Sequence, residues 1–166
     1  RVAGGVSLNN AGLKNRLKQK NYQRYLDELI EKYSLAGCVE FLPPLKADEM
    51  KKMYLKSNVF VSPSSIENSP NSLGEAMMLG VPCVSSLVGG VGNMLINEVE
   101  GFTYQHDAPY MLAYYVMEIF RLQKENRQQL ADMTDMAHSH AMRLFDSEKN
   151  AANMLEIYSG IERIKR

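Results

Sequence analysis

Short apolar runs and stretches of helical period alternate along the chain. The runs, bounded by proline, glycine or serine, predict strands at about 1 to 3, 38 to 42, 58 to 63, 82 to 86 and 101 to 105. Apolar residues three or four apart predict helices at about 11 to 33, 47 to 57, 70 to 80, 108 to 123, 125 to 144 and 147 to 164. Alternation of this kind requires crossover connections, so the pattern predicts an α/β fold with a mainly parallel sheet and helices on both faces.

Two of the later helices carry apolar stripes for which we expect different surroundings. The helix from 108 is expected to pack four residues against the sheet: Leu112, Tyr115, Ile119 and Leu122. The last helix is expected to keep an exposed apolar side, which would be a partner surface, formed by Met154, Ile157, Tyr158 and Ile161.

The segment "IENSPNSLGEAMMLGVPCVSS", residues 66 to 86, leads from a polar loop into an apolar helix. Ser69 suits the N-cap of that helix, and Pro70 suits its first position, where a missing N–H costs nothing. The helix tip would then present three backbone N–H groups, those of Asn71, Ser72 and Leu73. Together with the positive end of the helix dipole, these groups predict a site for an anion such as phosphate.

Two carboxylates, Glu67 and Glu75, flank this helix start. Glu75 lies roughly 9 Å along the axis from Ser69, and its side chain leans back toward the tip. A carboxylate repels phosphate but accepts hydrogen bonds from hydroxyls, so the layout fits a diphosphate between a ribose and a sugar. Spacing alone favours a simpler alternative, in which Glu75 complements the dipole and Glu67 is a solvated loop acid.

The charge distribution limits what this segment can bind unaided. The 166 residues carry no net charge, so no bulk field attracts nucleic acid. Between Lys56 and Arg121 there is no basic residue, whereas six acids occur there. One exposed helix tip, worth roughly 0.3 to 1 kcal/mol, cannot balance a diphosphate. The sequence therefore predicts that positive charge comes from elsewhere.

The cysteines and histidines do not point to a redox or metal site. Cys38 and Cys83 lie in apolar, strand-like runs, which predicts reduced core thiols in a cytoplasmic protein rather than a reactive thiol. His138 and His140 are two positions apart and cannot share a helix face as a zinc pair does, so solvated or partly packed histidines are expected. We expect no metal and no other cofactor.

A basic cluster on the first helix has two interpretations. It consists of Lys14, Arg16, Lys18, Lys20 and Arg24. The simpler interpretation is a solvated helix face. The alternative is peripheral contact with anionic lipid at the inner membrane face. The longest apolar stretch, "MLAYYVMEIF", is too short to span a bilayer.

Several motifs occur together and in order. The segment "SSIENSPNSLGEAMMLGVPCVSS", residues 64 to 86, continues to "VGGVGNMLINEVEGFTY" and contains Glu67, Glu75, Ala76, Gly80, Pro82, Gly89 and Gly90. Two glutamates separated by seven residues, then alanine, a small apolar helix, Gly-x-Pro and a Gly-Gly loop, resemble the donor-binding segment of the retaining glycosyltransferases of family four. That family has two Rossmann-like domains in the GT-B arrangement. The strand, short helix and strand of residues 38 to 64 also resemble it, so the likeness covers roughly residues 1 to 107.

The resemblance implies a role for each site residue. Glu67 would bind hydroxyls of the transferred sugar as the catalytic residue, and Glu75 would bind the ribose hydroxyls. The amides of Asn71, Ser72 and Leu73 would hold the diphosphate beside the Gly89-Gly90 loop. The turn from Pro43 to Leu45 would lie near the base, which makes Leu45 a binding residue.

The chain departs from the family pattern at three places. The family often has Gly-Phe-Gly or Gly-Leu-Pro after the first glutamate, whereas Asn68, Ser69 and Pro70 stand here. We therefore expect the side chains of Asn68 and Ser69 to contribute sugar contacts. Asn93 stands where the family often has a glutamate after the Gly-Gly loop. By the same resemblance, the arginine and lysine that clamp the diphosphate in the family are expected upstream of residue 1.

With this resemblance, the chain is predicted to be the donor-binding domain, with C-terminal helices 108 to 164, of a cytoplasmic retaining hexosyltransferase in surface polysaccharide synthesis. It would be the C-terminal half of a GT-B fold. The donor would be a nucleotide-diphosphate sugar and the acceptor a saccharide or lipid-linked saccharide. We expect this chain to be a fragment, inactive without an N-terminal acceptor domain and the first part of this domain. Two alternatives are another GT-B enzyme, such as an epimerase or phosphorylase, and a non-enzymatic nucleotide-binding module.

Overall fold

The computed structural model describes the backbone of residues 1 to 3 and 13 to 164, and the side chains of residues 1 to 3 and 21 to 161. The chain divides into two compact units, Arg1–Lys52 and Met53–Arg166. The first unit contains helix α1, Leu13–Lys32, and most of helix α2, Ala47–Leu55. Both helices agree with the predicted periods.

The strand predicted at 38 to 42 is wrong. Only an isolated parallel bridge joins Phe41 to Val2. The N–H groups of Cys38 and Val39 instead donate to the carbonyl of Leu35, at 2.8 and 3.2 Å, in a turn that follows α1. Pro43 then ends the extended segment because it has no N–H to pair. The same turn leaves Cys38 exposed, so its prediction as a core thiol is also wrong.

The second unit contains a parallel three-stranded sheet in the order β1-β2-β3. The strands are β1, Phe60–Ser62; β2, Cys83–Ser86; and β3, Phe102–Tyr104. Val61 pairs with Val84, and Val84 pairs with Phe102. The three strands predicted here are confirmed, each shorter than expected by one to three residues.

The helices of this unit connect the strands and follow them. They are α3, Asn71–Met78; α4, Val91–Met94; α5, Pro109–Glu125; α6, Arg127–Leu144; and α7, Ser147–Ile164. Pro109 occupies the first turn of α5. The Asn126 side chain caps α6 by accepting from the N–H of Gln129 at 3.2 Å. No helix in the described part of the chain is long and apolar enough to cross a membrane.

The core lies between the sheet and α5 and α6. Ile119 and Leu122 pack with Val84, Phe102, Tyr104 and Met133. Leu112 and Tyr115 pack against this cluster, so the predicted stripe of α5 is confirmed. The exposed side predicted for α7 is also observed, with exposed fractions of 51% for Met154 and 58% for Tyr158. A partner for that side stays a prediction.

Candidate functional site

Glu67 lies in the loop between β1 and α3, at the carboxyl end of β1. Its Oε1 accepts a hydrogen bond of 2.9 Å from the hydroxyl of Ser64. The carbonyl of Ser64 accepts one of 2.6 Å from the hydroxyl of Ser86, a fully buried residue of β2. Ser86 therefore fixes the start of the loop, and Ser64 orients the half-buried Glu67.

The Gly89-Gly90 loop packs directly on the backbone of Glu67 and Asn68. The N–H of Gly90 donates to the carbonyl of Asn68 at 2.5 Å. A side-chain carbon at Gly89, whose φ is +52°, would overlap the carbonyl oxygen of Glu67, and one at Gly90 would lie 2.6 Å from that of Asn68. The loops meet because the carboxyl ends of the parallel strands β1 and β2 share one edge of the sheet. Two motifs that are separate in sequence thus form one site.

Helix α3 begins one residue later than predicted. Pro70 is the N-cap, with φ −71° and ψ 109°, and no side chain caps the helix. The prediction that Ser69 is the cap is wrong, because its hydroxyl donates to the Met94 sulfur at 3.2 Å instead. Sequence offers no signal for this contact, since 25 residues separate the two.

The three amides predicted at the helix tip differ in availability. Leu73 has a fully buried side chain, and its N–H donates to the carbonyl of Pro70 at 3.0 Å. Asn71 and Ser72 are exposed in the first turn. Within the described residues their N–H groups donate to no backbone carbonyl outside the helix. The tip therefore offers two amides to a ligand, rather than three.

Glu75 lies on α3 with its side chain exposed. Its Oε2 accepts a hydrogen bond of 3.1 Å from the hydroxyl of Tyr54, which is only 3% exposed. The Tyr54 oxygen also lies 3.3 Å from the carbonyl of Ser72. Burial raises the pKa of Tyr54, and the charge of Glu75 and the hydrogen bond to it raise this pKa further. Sequence reasoning missed Tyr54, because nothing in "MKKMYL" distinguishes it from a core aromatic residue.

A further acidic residue, Glu100, is buried. Glu100 is 5% exposed, and its Oε2 accepts from the N–H of Ile96 and contacts Nδ1 of His140, both at 2.9 Å. This contact ties the turn before β3 to α6. His140 is partly buried, as the sequence predicts, but its carboxylate partner was not predicted. A cavity of about 370 Å³ beside it is lined by Glu100, Asp135, Met136, Ser139 and Arg143. In the described part of the chain, no three histidine, cysteine or acidic side chains are grouped to hold a metal ion.

The remaining predicted residues lie in the first unit. Leu45 is half-buried in the turn before α2, and its position near a base stays a prediction. The basic cluster falls mainly outside the described side chains, which exclude Lys14, Arg16, Lys18 and Lys20. Arg24 is described, and it pairs with Glu28 at 3.0 Å on an exposed face.

Comparison with known proteins shows the family of this chain. The family described as Glycosyl transferases group 1 matches residues 2 to 134. The chain belongs to this family. A D-inositol 3-phosphate glycosyltransferase of Corynebacterium urealyticum is 26% identical over 136 residues, which are 82% of this chain and 31% of that protein. A putative colanic acid biosynthesis glycosyltransferase, WcaL, of Escherichia coli is 35% identical over 88 residues, 49% of this chain and 21% of that protein.

Solved structures show the same fold. Sucrose-phosphate synthase from Thermosynechococcus elongatus superposes with a TM-score of 0.79 at 22% identity, over 98% of this chain and 38% of that one. Anabaena HepE in complex with UDP-glucose superposes with a TM-score of 0.73 at 22% identity, over 85% of this chain and 37% of that one. The predicted fold class, α/β of the GT-B glycosyltransferase type, is confirmed. The chain spans about a third of the length of these proteins.

Proposed function

We propose that this chain is the donor-binding part of a retaining hexosyltransferase that uses a nucleoside diphosphate sugar. One observation carries the proposal: the Gly89-Gly90 loop holds the backbone of Glu67 and Asn68 at the carboxyl edge of the sheet, immediately before the start of α3. A carboxylate is thereby fixed next to a helix tip. This combination suits a ligand with hydroxyls on either side of a diphosphate.

In this proposal each part of the site has a separate task. Glu67 binds hydroxyls of the transferred sugar and is the catalytic residue, with Asn68 and Ser69 beside it. The amides of Asn71 and Ser72 bind the diphosphate, while Glu75 binds the ribose. Leu45 contacts the base. Electrostatic stabilisation of the departing diphosphate would be the main catalytic contribution.

Positive charge for this task has to come from outside residues 57 to 120, where the sequence has neither lysine nor arginine. Basic side chains would then take the place of a divalent ion, and transfer would proceed without a metal. Sugar transfer by the complete gene product that persists in a chelator such as EDTA would support this part of the proposal. Transfer that is lost in EDTA and restored by Mg²⁺ would contradict it.

Similar proteins support the substrate class. The solved HepE structure contains UDP-glucose, and WcaL is named as a putative colanic acid biosynthesis glycosyltransferase. We therefore propose a saccharide or lipid-linked saccharide acceptor, in surface polysaccharide synthesis on the cytoplasmic side of the inner membrane.

Calorimetric titration with UDP-, GDP- and ADP-sugars tests the donor site. This chain should bind its preferred donor with a Kd on the order of millimolar, which is a binding free energy of about 4 kcal/mol. Binding is weak because no basic side chains accompany the helix tip and the two acids. Glu67→Ala and Glu75→Ala should each weaken binding. In the complete gene product, Glu67→Ala should lower kcat more than Glu75→Ala, because sugar contacts can strengthen in the transition state. Micromolar binding by this chain, or full turnover of the Glu67 variant, would refute the assignment.

A further inference from the structure

We propose that Tyr54 is a positioning residue for Glu75, whose carboxylate it holds ready to accept the hydroxyls of a ribose. This inference rests on the proposed function of Glu75 as the ribose ligand. It adds a residue that touches neither the donor nor the reacting atoms and that acts only through Glu75.

The geometry joins a buried donor to an exposed acceptor. Tyr54, at the end of α2, is 3% exposed, whereas Glu75 projects from α3 into solvent. The phenol oxygen lies 3.1 Å from Glu75 Oε2 and 3.3 Å from the carbonyl of Ser72. The phenol donates its single proton to the Glu75 carboxylate rather than to the Ser72 carbonyl, because a hydrogen bond to a charged acceptor is stronger.

This contact leaves the carboxylate able to bind a diol. Among the described side chains, no other group donates to Glu75. Oε1 and one lone pair of Oε2 therefore stay open, which matches the two adjacent hydroxyls of a ribose. A free glutamate on a helix surface samples several rotamers, and ordering it on binding reduces affinity. The bond from Tyr54 removes much of that cost before the ligand arrives.

Packing alone accounts for the ring but not for the hydroxyl. The Tyr54 ring packs against Phe60, with centroids 5.8 Å apart, and a phenylalanine could do the same. Burying a hydroxyl without a partner is unfavourable. Among the described residues, Ser72 and Glu75 are the only ones that provide acceptors for it. The phenol is protonated at neutral pH, and burial and the neighbouring carboxylate raise the pKa of Tyr54 further.

The test compares two ligands that differ only at the ribose. Titrations of this chain followed by NMR would use UDP, GDP and ADP, and the best binder would then be compared with its 2′,3′-dideoxy counterpart. Tyr54→Phe should weaken binding of the ribonucleotide by about fivefold, equivalent to about 1 kcal/mol, and leave the dideoxy ligand unaffected. The matched control is Tyr104→Phe, which removes the hydroxyl of another buried tyrosine, 5% exposed, in the core cluster of α5 and the sheet. It should change neither affinity.

The outcomes separate this inference from the proposed function. If the unmodified chain binds both ligands equally, Glu75 is not a ribose ligand, and both ideas fail. If it prefers the ribonucleotide but Tyr54→Phe weakens both ligands alike, or neither, the positioning role alone is overturned. Should Tyr54→Phe fail to fold, Tyr54→Met tests the same contact, because it also removes the hydroxyl and leaves Glu75 unchanged. That variant should lose the preference for the ribonucleotide, and a preference equal to that of the unmodified chain would overturn the inference.

Discussion

Alanine at Gly89 should disrupt the site more than alanine at either of two other glycines of the same unit. Gly89 has φ +52°, a conformation that a residue with a Cβ adopts at a cost of about 1 to 2 kcal/mol. Its added carbon would also overlap the carbonyl of Glu67. The loop would have to move away, and the 2.5 Å bond from Gly90 to Asn68 would be lost or stretched.

The other two glycines separate these two causes. Gly80 has φ +68° with open space where a Cβ would stand, so Gly80→Ala should cost only the backbone term, about 1 kcal/mol. Gly90 has an ordinary φ of −81°, but its added carbon would lie 2.6 Å from the carbonyl of Asn68. Overlap alone should therefore cost about 1 to 2 kcal/mol at Gly90. Both terms act at Gly89, where we expect about 3 kcal/mol.

Urea unfolding followed by circular dichroism measures the three changes in free energy, and titration with the preferred nucleotide sugar measures the site. Gly89→Ala and Gly90→Ala should weaken binding, because both displace the loop that holds Glu67, whereas Gly80→Ala should leave affinity unchanged. If Gly89→Ala destabilised the protein no more than Gly80→Ala, the contact between the Gly-Gly loop and Glu67 would not exist in solution. Equal binding by all three variants would show that this contact does not shape the site.

Two further predictions concern a buried thiol and a loop serine. Burial raises the pKa of Cys83, so the folded protein keeps a proton that the unfolded chain releases. The contribution of Cys83 to the free energy of unfolding is complete below the pKa of the unfolded thiol and falls by about 1.4 kcal/mol per pH unit above it. In urea unfolding between pH 9 and 11, Cys83→Ala should therefore lose stability less steeply with pH than the unmodified protein. An unchanged dependence of stability on pH would contradict this. Ser64→Ala removes the hydrogen bond to Glu67 and should weaken the binding of a nucleotide sugar about threefold, as measured by calorimetry. Binding of the matching nucleoside diphosphate should not change, because in the proposed site only the sugar contacts Glu67. The exposed neighbour Ser65 is the control, and equal losses in Ser65→Ala would contradict the role of Ser64.

Local sequence determined most of the helices and the family motifs. The helix at 147 to 164 agrees with its prediction, and the helix at 127 to 144 differs by two residues at one end. Helical hydrogen bonds join residues four apart, so the apolar period and the caps contain the information needed. The two glutamates, Gly-x-Pro and the Gly-Gly loop could likewise be recognised in the sequence, because their residue types and order resemble those of a known family.

Only the tertiary structure decided what each site residue contacts. The apolar run at 38 to 42 lost its strand to a turn, because a strand exists only where a partner supplies hydrogen bonds. The contact of Tyr54 with Glu75 spans 21 residues, and that of Glu100 with His140 spans 40. Such separations are set by how strands and helices pack, which no local pattern encodes. The hydrogen bonds of Ser64 with Glu67 and Ser86 likewise form at the edge of the sheet where the carboxyl ends of the parallel strands lie side by side.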